Sequence, residues 1–349
     1  MNRLLLGLAL LCFEGLSQQQ YKPAALAQAN RGVNLAKQGK YREAIQAYKH
    51  AAAIDPTLPN VNLNLGLAWF KLGNFHEAIT AFDKEAPSDR VTTLIGMSYF
   101  GLGQYKEAAA RLKPLADAQP DNTELVYLLA KCYLWSGEGD EGMALFEKLL
   151  ARDPDSVAVH MLMGEAFDSR QKTDEAIKEF EIAAKNGPAQ PDVHFGLGYL
   201  YWKQKRYEDA EREFTIELKN NPNQDKALAY LGDVEMKAGR NADAMASLRK
   251  ALGLAKDSHL AHLDMAIIDQ QKKHNEQAVA EFREAIRIDA SSYDAHYRLA
   301  RLLREMGRKA EADKEFAIVQ KLHEKKTEEP LMRISGPRWG RSALNWAGS

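Results

Sequence analysis

The chain has 349 residues, with 47 Lys and Arg against 48 Asp and Glu, and this balance argues against bulk nucleic-acid binding, which needs a strong basic excess. A composition of 45% hydrophobic and 27% charged residues is that of a soluble protein with enough apolar side chains for an extensive core. Of the two cysteines only Cys132 lies outside the first twenty residues, so a processed chain has no intramolecular disulfide and must be held by packing.

Arg3 precedes an apolar run from Leu4 to Phe13, and Gly15 and Ser17 stand three and one residues before a cut ahead of Gln18. Residues 1–17 therefore read as a secretory signal peptide, too short to span a membrane as a mature anchor, and 18–24 as a short lead. Export to the periplasm or out of the cell is the expectation. A retained or buried N-terminal helix is the other reading, because Glu14 lies close to the cut. Lipid anchoring at Cys12 is a minor alternative, since Leu11 fills the place where a lipoprotein signal wants a small residue.

From Ala25 a 34-residue unit recurs, with copies starting at Ala25, Pro59, Asp89, Thr123, Val157, Pro191, Asp225, His259 and Tyr293. Each copy predicts two helices. In the sixth, His194, Leu197, Gly198 and Tyr201 keep helical spacing, then Tyr207, Ala210, Phe214 and Ile216 do so before Pro222 closes the unit. Neither stripe can be buried alone, so the helices fold onto each other and the remaining apolar face waits for the next copy. The eighth residue is Gly or Ala in all nine copies, and so is the twentieth, which is what close helix crossings require. The twenty-fourth supplies the plug: Tyr48, Phe82, Leu112, Phe146, Phe180, Phe214, Leu248, Phe282 and Phe316. The second copy runs only from Pro59 to Ser88, because Ala86 and Pro87 end its second helix early and Ser88 or Asp89 can cap the next. That shortening predicts an irregular rotation between the second and third copies. Cys132 falls on the buried side of its helix, where a cysteine acts as a small hydrophobe.

With these small, aromatic and proline positions, residues 25–326 resemble the tetratricopeptide repeat family. Pro56, Pro120, Pro154, Pro188 and Pro222 match the family's closing proline, while Lys256 and Ala290 replace it later, leaving those helix ends less sharply defined. Glu235 and Asp269 at the eleventh position suggest looser packing in repeats seven and eight. The resemblance implies an all-α fold, a right-handed superhelical solenoid of antiparallel helix pairs. It also implies a concave groove lined by positions 2, 5, 9, 12 and 13. On this chain that lining includes Leu63, Leu67, Phe70, Met97, Phe100, Tyr127, Leu134 and Trp135, then Met161, Phe195, Tyr199, Trp202 and Met236. Lys131 stands among them, and in the flanking charges Arg90, Lys203 and Lys237 alternate with Glu124, Glu165, Asp168, Asp192 and Asp233, whose expected role is solvation. Arg298, Arg301 and Arg304 make a basic end in repeat nine. The family's chaperone-tail clamp does not carry over: Asn64 and Arg90 match two of its places, but Ala29 and Val33 occupy others.

His160, His194, His262 and His296 all take position 4 of their repeats, where planar rings replace aromatics in packing. Copies stacked ~8 to 10 Å apart are too distant to share one metal at ~2 Å, so no metal or cofactor is expected. Carboxylates such as Glu208, Asp209, Glu211 and Glu213 read as a solvated helix face, and no phosphate loop, nucleophile elbow or paired-cysteine motif occurs. After Lys326 the pattern stops. Residues 327–349 form a basic tail in which Arg338, Trp339 and Trp346 are candidates for capping the last repeat or docking a partner, disorder being the alternative. The sequence thus points to a non-enzymatic scaffold or adaptor of the cell envelope that binds a protein or peptide in its groove. The alternative is a structural subunit or assembly factor that associates through helix faces, the terminal repeat or the tail.

Overall fold

The computed structural model describes residues 21–328. The predicted leader and the tail residues Arg338, Trp339 and Trp346 lie outside the described residues. All regular structure among the described residues is helical, eighteen helices in nine consecutive pairs. The chain divides into two compact units. In the first, residues 21–154, α1 (Pro23–Lys37) pairs with α2 (Tyr41–Ile54) and α3 (Val61–Lys71) with α4 (Phe75–Phe82). There, too, α5 (Asp89–Gly101) pairs with α6 (Tyr105–Ala118) and α7 (Thr123–Ser136) with α8 (Gly139–Leu150). The second unit, residues 155–328, begins with α9 (Val157–Ser169) on α10 (Thr173–Asn186) and α11 (Val193–Lys203) on α12 (Tyr207–Asn220). It continues with α13 (Asp225–Lys237) on α14 (Asn241–Leu254), α15 (His259–Gln271) on α16 (Asn275–Ile288) and α17 (Tyr293–Glu305) on α18 (Lys309–Glu328). Within each unit the second helix of a pair also packs on the first helix of the next, which covers the face each pair leaves open. In the shortened second copy α4 has eight residues, and Ser88 Oγ then accepts the Val91 N–H to cap α5.

The small residue at position 8 is the seat of the plug at position 24. A Cβ on Gly66 would lie 2.4 Å from the Phe82 ring, one on Gly164 2.5 Å from Phe180, and one on Gly198 2.7 Å from Phe214. Repeat four solves the crossing the other way: Ala130 holds position 8, and Gly142 at position 20 lies so close that a Cβ would come 3.1 Å from the Ala130 carbonyl. Phe180 is gripped from both sides, since a Cβ on Gly196 of the following repeat would reach within 2.2 Å of its ring. Position 15, the turn inside each pair, is left-handed in all nine repeats: six are glycine, and Gln171, Lys205 and Lys273 adopt φ of 60–62° there. Cys132 is fully buried, and burial pushes its thiol up to about 12, so it is an inert core group.

The position-4 histidines do more than fill space. His160, His194, His262 and His296 each place Nδ1 2.6–2.7 Å from the carboxylate nineteen residues on, Glu179, Glu213, Glu281 and Glu315 respectively, tying the first helix to the second. Nε2 of His194 and of His262 faces a second acceptor, the Pro188 carbonyl at 3.0 Å and the Lys256 carbonyl at 3.1 Å. Two acceptors are both satisfied only by a ring protonated on both nitrogens. The carboxylate hydrogen bond accordingly raises the basicity of both histidines above the ordinary 6.5, although burial opposes it. Glu213 is therefore a buried ion-pair partner and not, as its spacing suggested, part of a solvated face.

Equilibrium unfolding in urea tests these contacts. Gly196→Val should cost about 1–3 kcal/mol by overpacking against Phe180, with part regained in Gly196→Val/Phe180→Leu; an unchanged midpoint would remove the double-seat account. Lys273→Gly should stabilise by up to about 1 kcal/mol, because glycine adopts left-handed backbone without strain. The histidine contribution is complete below about pH 6.5, where unfolded histidine is also charged, and is lost as pH rises through the raised folded value. Stability should therefore fall as pH rises above about 6.5, and fall less in His194→Gln/His262→Gln. Glu213→Ala, which strands His194 Nδ1, should cost about 1–3 kcal/mol at pH 6; identical pH slopes in the wild type and the double histidine variant would sink this reading.

Candidate partner-binding surface

The predicted lining separates into two groups by depth. Leu63, Leu67, Phe70, Met97, Phe100, Leu134 and Phe195 are buried, 2–8% exposed, and complete the inter-helix core instead of presenting anchors. Their aliphatic and phenyl groups fill the crossings between first helices, where family position alone does not separate a groove residue from a core one. Tyr127, Trp135, Met161, Tyr199, Trp202 and Met236 are half-buried, with an anchored base and an accessible edge. Asn64 is fully enclosed and offers nothing to a bound carboxylate.

In the first unit the half-buried residues gather at the ends of α5 and α7. The rings of Phe100 and Trp135 lie 4.9 Å apart, with Tyr105 at 5.4 Å and 5.5 Å from them. Into this group α7 sends Lys131, one turn before Trp135. Its ammonium sits 5.2 Å from Phe100, 5.6 Å from Tyr127 and 4.9 Å from Trp135. Only 8% of Lys131 is exposed, so ring faces replace much of its water and fix the Trp135 indole in one orientation.

In the second unit the centre of the cluster is Tyr230 on α13, a residue outside the expected positions. It lies 5.0 Å from Trp202, 5.5 Å from Tyr199 and 5.9 Å from both Phe195 and Phe214. Tyr199 and Trp202 stack at 5.9 Å with 24° between their planes. Buried acids hold the arrangement. Asp233 accepts the Trp202 indole N–H at 2.5 Å and pairs with Lys237, whose ammonium also lies 5.7 Å over the Trp202 ring. Asp168 pairs with Lys203 at 2.5 Å. Asp168 and Asp233 are 6% and 2% exposed, so these charges cross-link neighbouring first helices; the expected role of solvation is corrected. Beside Asp233, burial pushes the Asp264 carboxyl well above the usual carboxylate range, and the Asp233 charge adds to this. The upward shift disfavours a second negative charge where α13 and α15 pack together.

The two clusters present half-buried aromatic rings braced by cations and acids. Among the described residues no group of three or more His, Cys, Asp or Glu is placed to hold a metal ion, and no helix is long and apolar enough to cross a membrane. Sequence reasoning placed the position-4 histidines in the packing but missed their carboxylate partners, and it passed over Tyr230. A signal for the histidines exists: wherever position 4 is His, position 23 is Glu, and the other repeats have neither, for example Leu228 with Ser247 and Val126 with Leu145.

No match is found among curated protein sequences. Among solved structures, the chain is similar to pilF of Pseudomonas aeruginosa at TM-score 0.53 and 18% identity, over 61% of this chain and 100% of that one. It is similar to the APC/C hetero-tetramer Cut9-Hcn1 at TM-score 0.58 and 14% identity, over 84% of this chain and 58% of that one. A tetratricopeptide repeat protein from Parabacteroides merdae aligns over 80% of this chain and 99% of that one, at 16% identity and TM-score 0.48. At such identities the likeness shows the fold alone. Models described as tetratricopeptide repeat match residues 99–166, 161–215, 195–259 and 263–319, and one described as TPR repeat matches 32–73. Taken with the seated plugs of the nine helix pairs, these matches show that the chain belongs to the tetratricopeptide repeat family.

Proposed function

We propose that the protein is a non-enzymatic interaction scaffold of the cell envelope that captures a protein or peptide partner on the first-helix faces of its repeats. Tetratricopeptide repeats are a general protein–protein interaction scaffold. The observation that carries the finer reading is the pair of aromatic clusters, around Trp135 in one unit and around Trp202 in the other. In each, a large ring is half-buried, braced by a lysine and left with an open edge. Rigid aromatic edges lose little conformational freedom on binding, and such residues dominate the energetics of interfaces. The envelope location rests on the sequence of residues 1–17, with Arg3 ahead of the apolar run and small residues before Gln18.

Capture of partners from envelope extract by the immobilised mature chain, identified by mass spectrometry, tests the proposal. Trp135→Ala/Trp202→Ala should weaken the captured complex by about 30-fold or more, the effect of losing a contact worth about 2 kcal/mol, while circular dichroism stays at the wild-type level. Trp202→Phe, which keeps a ring but not the indole N–H, should retain most of the affinity. Wild-type capture by the double alanine variant would reject these faces as the binding surface.

A further inference from the structure

We propose that the exposed face of α17 in the last repeat is a docking surface for an acidic peptide segment of a partner, one in which apolar residues lead into aspartate or glutamate. This rests on the reading of the chain as a peptide-binding scaffold and names the partner chemistry of one face. Tyr293, Tyr297, Arg301 and Arg304 follow one another at helical spacing along a single stripe of α17. Tyr293 and Tyr297 are 47% and 38% exposed, unusual for large rings in this chain, and they stack at 6.1 Å with only 12° between their planes. The guanidinium of Arg301 lies 6.0 Å over Tyr297, and that of Arg304 lies 5.0 Å over Phe316 of α18. A guanidinium laid on a ring keeps its N–H edge turned outward, in the planar geometry that takes a carboxylate with two parallel hydrogen bonds.

These two arginines differ from their neighbours. Arg298 is satisfied by Asp294 at 2.8 Å, and Arg308 by Glu311 at 2.8 Å. Among the described residues Arg301 has Glu305 only at 3.8 Å, outside hydrogen-bonding distance, and Arg304 donates to no carboxylate. The stripe therefore displays two rings and two cations whose donors point to an acidic ligand. At the same register one repeat earlier stand Leu263 and Ile267, half-buried against the apolar cluster that also holds Phe316. This aliphatic row suits the apolar part of a peptide and gives a nucleic acid no further cation. The last twenty residues of the chain carry Arg333, Arg338 and Arg341 and no acid, so the tail has the wrong charge to fill this face.

Selection from a random peptide library displayed on phage, run on the immobilised full chain and in parallel on Arg301→Glu/Arg304→Glu, tests the proposal. The wild type should enrich sequences pairing apolar residues with Asp or Glu, and the charge-reversed variant should not. A labelled synthetic copy of the leading wild-type sequence should bind Arg301→Glu/Arg304→Glu and Tyr293→Ala/Tyr297→Ala at least about tenfold more weakly, and should weaken as salt is raised. It should bind Trp135→Ala/Trp202→Ala at full strength, which separates this face from the aromatic clusters, whose failure would show instead as partner capture insensitive to the tryptophan changes. Enrichment without acidic preference, no enrichment at all, equal binding by the charge-reversed variant, or binding of labelled oligothymidine in place of peptide would each overturn the assignment.

Discussion

The contact on which the rest depends is a ring pressed into the gap left by a missing side chain. In most repeats the plug at position 24 is wholly enclosed, as Phe82, Phe180, Phe214 and Phe282 are. Burying one such ring contributes about 1.5–3 kcal/mol, modest alone but repeated along the chain. Its larger effect is geometric. With position 8 reduced to glycine or alanine, the two helices of a pair approach until the ring is the spacer between them, and no other crossing leaves room for it. Phe180, held by Gly164 of its own repeat and Gly196 of the next, shows the same contact setting the step between successive pairs. A fixed step places equivalent first-helix positions on a common face and turns a row of short helices into a binding platform.

Polar groups inside the packing specify the second unit further. A buried ion pair gains little net stability, since desolvation offsets most of the attraction, but it is costly to break or misalign. The His–Glu ties, the Asp168–Lys203 pair and the Trp202–Asp233 hydrogen bond therefore act chiefly on register, fixing which turn of one helix faces which turn of another. A similar economy operates at helix starts. Asn60 and Asp192 take left-handed backbone where α3 and α11 begin, and in both repeats a glutamate at position 27 reaches the first helix: Glu85 accepts the Leu63 N–H, and Glu217 those of Asp192 and Phe195. Fully enclosed Glu217 is pushed above the usual carboxylate range by burial, while those two amides pull the other way.

Helix pairing was legible in the sequence because it follows from volume. Small residues at two positions and bulky ones at a third leave one way for the pair to close, and that inference needs no long-range information. The surface was less legible. Family position treats Phe195 and Trp202 alike, yet Phe195 meets Phe214 and Tyr230 in the core while Trp202 keeps an edge outside. The difference depends on the neighbouring repeat, where Tyr230 occupies a position with no assigned role. The histidines were misread for a related reason: spacing shows where a ring sits along its helix but not what stands across from it, and Glu213 looked like any other acid on a charged helix until its partner was found. Correlation between positions 4 and 23 of the repeats carried that information, and a count of single positions does not see it.

A repeated scaffold leaves function to the positions that it does not need. The plugs and their seats vary little from copy to copy because each copy faces the same packing problem. The half-buried and exposed positions of the first helices are less tightly constrained, and they diverge: Tyr127 and Trp135 in repeat four, Tyr199 and Trp202 in repeat six, Leu263 and Ile267 in repeat eight, Arg301 and Arg304 in repeat nine. The core constrains the step between copies and leaves these positions freer to differ. Aromatic edges braced by lysine suit compact apolar side chains, and the outward-turned guanidinium groups suit carboxylates. On the proposed reading, a partner that meets more than one such face of the second unit would gain affinity by joining weak contacts, and specificity by requiring that they occur in the right order.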